Sequence, residues 1–242
     1  MSPDTPLDAQ ADARTDNQAD DGADARVVAD LRAAHSVDGP EIDALGSRLG
    51  QEADRHGLLD VAYRSVDSPF GPLLVAAGTE GLVRVAFEGE DHGAVLDHLA
   101  TAISPRILRS GRRTDEVARQ LEEYFAGRRR RFDVAVDLRL VTGFRRAVLS
   151  HLVDIAYGAT ESYTTVAQAA GNPAAVRAVG SACSHNPVPV VVPCHRVVRS
   201  DGTIGQYRGG TEAKAALLAM EATETTETTE TTETTETTEA GG

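Results

Sequence analysis

Residues 188–198 read Val-Pro-Val-Val-Val-Pro-Cys-His-Arg-Val-Val, an apolar, β-branched run that ends in Cys194, His195 and Arg196. Such a run favours buried, extended backbone. It is expected to be a buried strand with the Cys194 thiol at its end and Pro193 fixing the backbone just before it. A buried cysteine is ordinarily an inert small hydrophobe, and Cys183 is read that way. Cys194 differs because His195, Arg196 and, eight residues upstream, Asn186 crowd it. A thiol becomes a nucleophile only as thiolate, and a nearby base or positive charge lowers its pKa. Neighbouring side chains on an extended segment point to opposite sides. Cys194 and His195 therefore need a turn or a bridging water to exchange a proton, and they do not suit one metal ion.

Downstream, Gly205-Gln-Tyr-Arg-Gly-Gly210 is a glycine-rich loop that lets backbone approach a ligand closely. It lacks the ending of a phosphate loop, which excludes nucleoside triphosphate binding. Thr211 then caps a last helix that reaches Glu221. That carboxylate is either a solvated helix residue or a group folded back to hold His195, as carboxylates orient catalytic imidazoles. Upstream, Phe144, Val148, Leu149, Leu152 and Ile155 fall on one helix face. Ser162 is a candidate N-cap for a helix from Tyr163 to Ala170, ended by Gly171 in a left-handed cap. Asn172-Pro173 then has the form of a cap and first position of another helix. The pair makes a helix-turn-helix candidate. Its second helix is nearly all small residues, with Arg177 the one large polar side chain. That suits tight internal packing, or a helix pressed into a groove with one Arg to insert.

Residues 58–138 have a different texture. Asp60–Val66, Pro72–Ala77 and Gly81–Phe87 read as three strands separated by turn residues. A helix follows Asp91, and another begins at Thr114, places Val117, Leu121 and Phe125 on one face and ends near Gly127. Phe132, Val134, Val136 and Leu138 alternate with polar residues as in a half-buried strand. Arg128–Arg131 is read as a solvated helix end. Two further amphipathic segments, around Val27, Val28 and Leu31 and around Ile42, Leu45 and Leu49, form a helical extension over 25–57 that packs on the core. Residues 1–24 and the Thr/Glu repeat in 222–242 have little to bury and read as disordered tails.

The 242 residues carry a formal charge of −13, which taken globally opposes a nucleic-acid partner. By segment, residues 1–57 hold 13 acidic against 5 basic side chains, and 222–242 hold six glutamates and no base. Residues 58–221 hold 18 acidic and 19 basic side chains, so the centre is neutral to basic and tolerates DNA. With no long apolar run and no secretory leader, a cytoplasmic protein without a membrane partner is expected. The two cysteines, lacking a CxxC pair, are read as free thiols and not as a disulfide or zinc site.

The Val-Val-Pro-Cys-His-Arg-Val-Val-Arg-Ser-Asp-Gly-Thr segment, with Asn186-Pro-Val-Pro before it and Gly209-Gly-Thr-Glu-Ala-Lys-Ala-Ala-Leu-Leu after it, resembles the O6-alkylguanine-DNA alkyltransferase family over about 139–221. Segment 58–138 looks like that family's variable N-terminal domain. The resemblance implies an α/β (α+β) fold: a small ribonuclease-H-like sheet domain followed by a mostly helical DNA-binding and active-site domain with a helix-turn-helix. It implies a single-turnover repair enzyme that moves a methyl or alkyl group from O6-alkylguanine, and from O4-methylthymine, onto Cys194. His195 would deprotonate the thiol through a water, Glu221 would orient His195, and Asn186 would tie the active-site turn. Tyr163 would donate to the departing guanine and Arg177 would fill the gap left by the flipped nucleotide. Tyr207, Arg208 and Gly209 would line the base pocket, and Asn172 and Ser200 would contact the DNA backbone. The implied partner is alkylated double-stranded DNA met from the minor groove by a monomer, with no cofactor and no metal. Leu149 stands where the family often has Trp, Gly158-Ala-Thr160 where it has Gly-Glu-Thr, and Thr164 where it has Gln. Two other readings compete: a non-catalytic alkyltransferase-like lesion binder, which would lack the acceptor cysteine, and a cysteine hydrolase using His151 or His185 as base.

Overall fold

The computed structural model describes residues 40–222. The readings of residues 1–24, of Val27, Val28 and Leu31, and of the Thr/Glu repeat lie outside the described residues. Helix α1 runs Pro40–Arg55, followed by β1 (Val61–Val66), β2 (Leu73–Ala77) and β3 (Leu82–Ala86). Helix α2 (His92–Ala102), β4 (Ile107–Arg109) and α3 (Asp115–Phe125) complete the sheet half. The helical half comprises α4 (Gly143–Leu152), β5 (Glu161–Ser162), α5 (Tyr163–Ala169), α6 (Val176–Ser184), a 3-10 turn at Cys194–Arg196 and β6 (Val197–Val198). A last helix, α7, covers 210–222.

The sheet has the order β3-β2-β1-β4; β1, β2 and β3 pair antiparallel and β4 joins β1 in parallel. The three expected strands are present. Three-residue β4 is too short to show a period of its own. Strands β2 and β3 are buried along their whole length, because the sheet is covered on both faces. On one face Val61, Ala76 and Val83 pack with Leu99 of α2. On the other, Leu73, Val75 and Val85 enter a core that includes Val117, Leu121 and Tyr124 of α3 and continues through Val148, Leu149 and Leu152 of α4 to Cys194 and Leu217. Sheet half and helical half thus share one apolar core.

Local signals explain most helix boundaries. Asp91 caps α2 by accepting from the Ala94 N–H, and Ser162 caps α5 by accepting from the Thr165 N–H at 3.0 Å. Gly171, at φ 84°, turns the chain out of α5. Other expectations need correction. Segment 132–138 keeps its alternating burial as far as Val136, but among the described residues it forms only an isolated bridge, Val136 to Leu82, so it is a sheet margin and not a strand. Helix α6 begins at Val176, not at Pro173: Asn172–Ala175 first closes a separate turn in which the Ala175 N–H donates to the Asn172 carbonyl. In α1 the expected Leu45 and Leu49 do not do the packing, since both are exposed, and the Ile42 side chain lies outside what is described. The contact is made by small residues instead. A side chain at Gly50 would collide with the Arg109 carbonyl of β4, and Ala53 joins Leu59, Ala62 and Leu108. Buried Asp54 pairs with Arg113 at 2.5 Å.

Candidate active site

The segment read as a strand leading to Cys194 is a tight turn. The Val192 N–H donates to the Val188 carbonyl at 2.9 Å, and Val190 sits at φ 73°. A β-branched residue in that region is strained by about 1–3 kcal/mol and persists only where its surroundings impose it. Asn186 imposes it. Its side chain is fully buried, its Oδ1 accepts from the Val188 N–H at 3.0 Å, and its Nδ2 donates to the Val192 carbonyl at 2.8 Å. The same Nδ2 donates to Cys194 Sγ at 3.1 Å. Turn construction and sulfur contact therefore come from one amide.

Cys194 opens a 3-10 turn, which supplies the change of direction that an extended Cys-His pair would lack. Burial pushes the Cys194 thiol up to about 11, although the Asn186 hydrogen bond and the charge of Lys214 pull the other way. The resting thiol is therefore protonated at neutral pH and needs a base. His195 is also fully buried, and burial lowers its pKa despite the Glu221 carboxylate beside it. It is a neutral imidazole at neutral pH. Its Nε2 lies 3.1 Å from Glu221 Oε1. Its Nδ1 is buried and meets no hydrogen-bonding partner among the described residues. A carboxylate accepts only, so Nε2 carries the proton and Nδ1 keeps its lone pair. A water between Nδ1 and the thiol can relay the proton.

Glu221 is wholly buried and belongs to the folded-back alternative. Arg196 donates to it through Nε at 3.0 Å and Nη2 at 2.8 Å, the Gly158 N–H donates at 3.1 Å, and the Tyr124 hydroxyl at 2.7 Å. Burial alone would raise its carboxyl, but the His195 and Arg196 hydrogen bonds and charges outweigh it and bring it down to about 2. Arg196, expected among the groups around the thiol, is committed to Glu221 and to the Ile155 carbonyl. Two participants escaped the sequence reading. Tyr124 comes from α3, about seventy residues before His195. Lys214 is fully buried, donates to the Val197 carbonyl at 2.5 Å and has its pKa lowered by burial.

Tyr163 opens α5 directly after β5, and β5 pairs with β6 through Glu161–Val197 and Ser162–Val198. That pairing sets the phenol beside the segment that leaves Cys194. Gly205 presses on it: a Cβ there would fall 2.5 Å from the Tyr163 hydroxyl oxygen. Gly209 is likewise required by the protein itself, since a Cβ would fall 2.7 Å from the Phe87 ring. Tyr207 stacks edge-on against Phe87 at 5.6 Å and against His195 at 6.2 Å. Its hydroxyl is buried, which raises its pKa well above the ordinary phenol value. Arg208 is turned into the protein, where it donates to Glu90 at 2.7 Å and to the Ser184 carbonyl at 3.1 Å. Glu90 also pairs with Arg84 of β3, so the loop is tied to the sheet.

Arg177 and Asn172 are exposed on α6 and the turn before it, with Ala174, Ala178 and Ser181. Ser200 is exposed on the turn after β6. Cys183 faces inward from α6 and burial raises its thiol pKa. His151 is bound to Glu161 at 2.8 Å and His185 to the Ser181 carbonyl at 2.8 Å. Neither takes the place of His195. Among the described residues no group of three or more His, Cys, Asp or Glu side chains has the placement to hold a metal ion, and no helix is long and apolar enough to cross a membrane.

The family model for the 6-O-methylguanine DNA methyltransferase ribonuclease-like domain matches residues 61–138, and that for its DNA-binding domain matches 143–223. A methylated-DNA–protein-cysteine methyltransferase of Mycobacterium tuberculosis (strain ATCC 25618 / H37Rv) is 39% identical over 176 residues, covering 66% of this chain and 92% of that protein. The chain belongs to the 6-O-methylguanine-DNA methyltransferase family. A methyltransferase of the same name from Methanosarcina acetivorans is also 39% identical, over 160 residues, with 66% and 97% covered. The crystal structure of M. tuberculosis O6-methylguanine methyltransferase superposes with a TM-score of 0.59 at 37% identity, covering 68% of this chain and 94% of that one. A structure of the M. tuberculosis protein in complex with DNA gives 0.57 at 36% identity, covering 67% and 94%. The methyltransferase fold, a small sheet half joined to a helical half, is thus shared with these structures.

Proposed function

We infer that this chain repairs alkylated DNA by direct reversal, as a methylated-DNA–protein-cysteine methyltransferase that uses Cys194 once. The observation that carries the reading is a buried cysteine hydrogen-bonded by Asn186 and backed by a neutral imidazole with a free Nδ1. In this reading His195 takes the thiol proton through a water, and the sulfur attacks the alkyl carbon on guanine O6. The carbon–oxygen bond breaks, its electron pair passes to guanine, and Tyr163 donates toward the base. Guanine takes up one proton by way of Tyr163, water restores the phenol, and the proton held on His195 returns to solvent, so the proton lost by the thiol balances the one gained by the base. The product thioether does not hydrolyse at neutral pH, so each molecule acts once. The lesion lies inside the base stack, which supports extrusion of the nucleotide. The exposed small-residue face of α6, carrying Arg177, supports approach along the minor groove with Arg177 filling the gap. Asn172 and Ser200 flank that face and suit phosphate contacts. In the same proposal Tyr207 and Gly209 would border the flipped base, while Arg208 holds their loop to Glu90 and Ser184. Transfer from O4-methylthymine and action as a monomer belong to the same proposal, as does division of labour between a sheet domain at 58–138 and a reactive domain at 139–221.

A duplex carrying O6-methylguanine with a labelled methyl group tests this. One label per protein chain should appear on Cys194, and Cys194→Ala should keep DNA binding while losing transfer. Continued turnover, or label on another residue, refutes it. A lesion-binding protein without catalysis would have no use for the Asn186–Cys194–His195 arrangement.

A further inference from the structure

We propose that Tyr124, supplied by the sheet half, is a positioning residue for alkyl transfer that acts through Glu221 to set the tautomer of His195. The proposal rests on the transfer reaction inferred above. Tyr124 is fully buried, with its ring packed against Phe125, Phe132 and Tyr157 at centroid distances of 5.4, 5.2 and 6.2 Å. Burial, and then the neighbouring Glu221 charge, push the phenol pKa upward, so it stays a hydroxyl at every working pH. A phenol has one proton, and the 2.7 Å bond to Glu221 Oε1 uses it. His195 Nε2 lies 3.4 Å from the same phenol oxygen, which can then only accept from it. Two acceptor oxygens, Tyr124 Oη and Glu221 Oε1, therefore converge on Nε2. The proton is held there and Nδ1 is kept bare for the thiol proton. Phenylalanine would fill the same apolar space, so the hydroxyl has no packing role. Arg196 and the Gly158 N–H hold the same carboxylate, and Glu221 Oε1 meets Nε2 directly at 3.1 Å, so Tyr124 is the group that touches both members of that pair and braces one against the other.

The test uses the full chain and compares the parent with Tyr124→Phe, Glu221→Gln and the double variant. Transfer of labelled methyl from an O6-methylguanine duplex is followed from pH 5.5 to 8.5, and DNA affinity is measured in a Cys194→Ala background. Tyr124→Phe is expected to slow transfer about tenfold, to shift the acid limb of the pH profile and to change DNA affinity less than twofold. In the Glu221→Gln background it should slow transfer less than twofold further, because two residues acting through one contact are not additive. A rate within twofold of the parent at every pH, or an undiminished effect in the Glu221→Gln background, overturns the proposal. If Tyr124→Phe does not fold, imidazole nitrogen NMR of the parent decides. A proton on Nε2 and a bare Nδ1 support the assignment, and a proton on Nδ1 overturns it. A parent protein that transfers no label would defeat the underlying reading instead, and the NMR result would still judge the tautomer.

Discussion

Replacing Asn186 by alanine removes three hydrogen bonds from a side chain with no solvent access. One orphan remains in the interior, the Val188 N–H, while the Val192 carbonyl keeps the Cys194 N–H at 2.8 Å. An unsatisfied backbone group costs about 1–3 kcal/mol and the loss of an ordinary hydrogen bond about 0.5–1.5 kcal/mol, so a loss of roughly 1.5–4.5 kcal/mol follows. Relief of the Val190 strain, about 1–3 kcal/mol, offsets part of it if the turn relaxes. A net loss near 2 kcal/mol should lower Tm by about 4–8 °C in a folded body of this size. Reactivity falls for a separate reason. A hydrogen bond to a charged group contributes about 1.5–3 kcal/mol, so losing the donor to sulfur leaves the thiolate roughly 10- to 150-fold scarcer. Thermal melting and single-turnover transfer from an O6-methylguanine duplex, run below the lowered Tm, measure the two effects. A variant that melts within 2 °C of the parent and transfers within twofold would refute the assignment of both jobs to this amide.

Three further outcomes are expected. The base must be neutral to take the thiol proton, and burial lowers the His195 pKa from its ordinary 6.5. The transfer rate should therefore hold level as pH falls through 6.5 and decline only below it; a half-maximal rate at or above pH 6.5 contradicts this. Gly205→Ala should displace the Tyr163 hydroxyl and slow transfer by about tenfold or more, while melting changes little because the clash is with the end of a half-buried side chain. Arg177→Ala should weaken DNA affinity and flatten its salt dependence, yet leave the reaction of Cys194 with free O6-alkylguanine base unchanged; equal losses with DNA and free base would place Arg177 in the chemistry.

Much of the site was legible because its central parts are neighbours in sequence. Asn186, Cys194 and His195 fall within ten residues, and Ser162 announces the helix that carries Tyr163. What was missed has definite causes. Segment 188–192 is β-branched apart from Pro189, but a side-chain amide bonded to two backbone groups overrides propensity. Residues 132–138 alternate correctly yet meet only Leu82 at the sheet margin. Asn172-Pro173 has the form of a helix start, and the chain spends one more turn before Val176. In α1, the leucines that suggested the packing face are exposed, and glycine and alanine make the contact, which a hydrophobic pattern cannot reveal. Nothing in the sequence around Tyr124 separates it from the other residues of its helix; only the tertiary fold brings its hydroxyl to Glu221.

The turn at Asn186–Val188 has one more bond, from the Val85 N–H of β3 to the Pro187 carbonyl at 2.9 Å. Among the described residues strand β3 has no strand partner on that side, and Val136 meets it only at Leu82. The reactive turn therefore also serves as the stopper of an otherwise open sheet border. A chain whose turn has come apart would lose its nucleophile and at the same moment display a buried, apolar strand with a free donor, the form of edge that recruits other chains. Chemical inactivation and self-association are thereby linked through one carbonyl, and soluble protein should be enriched in molecules whose reactive turn is intact.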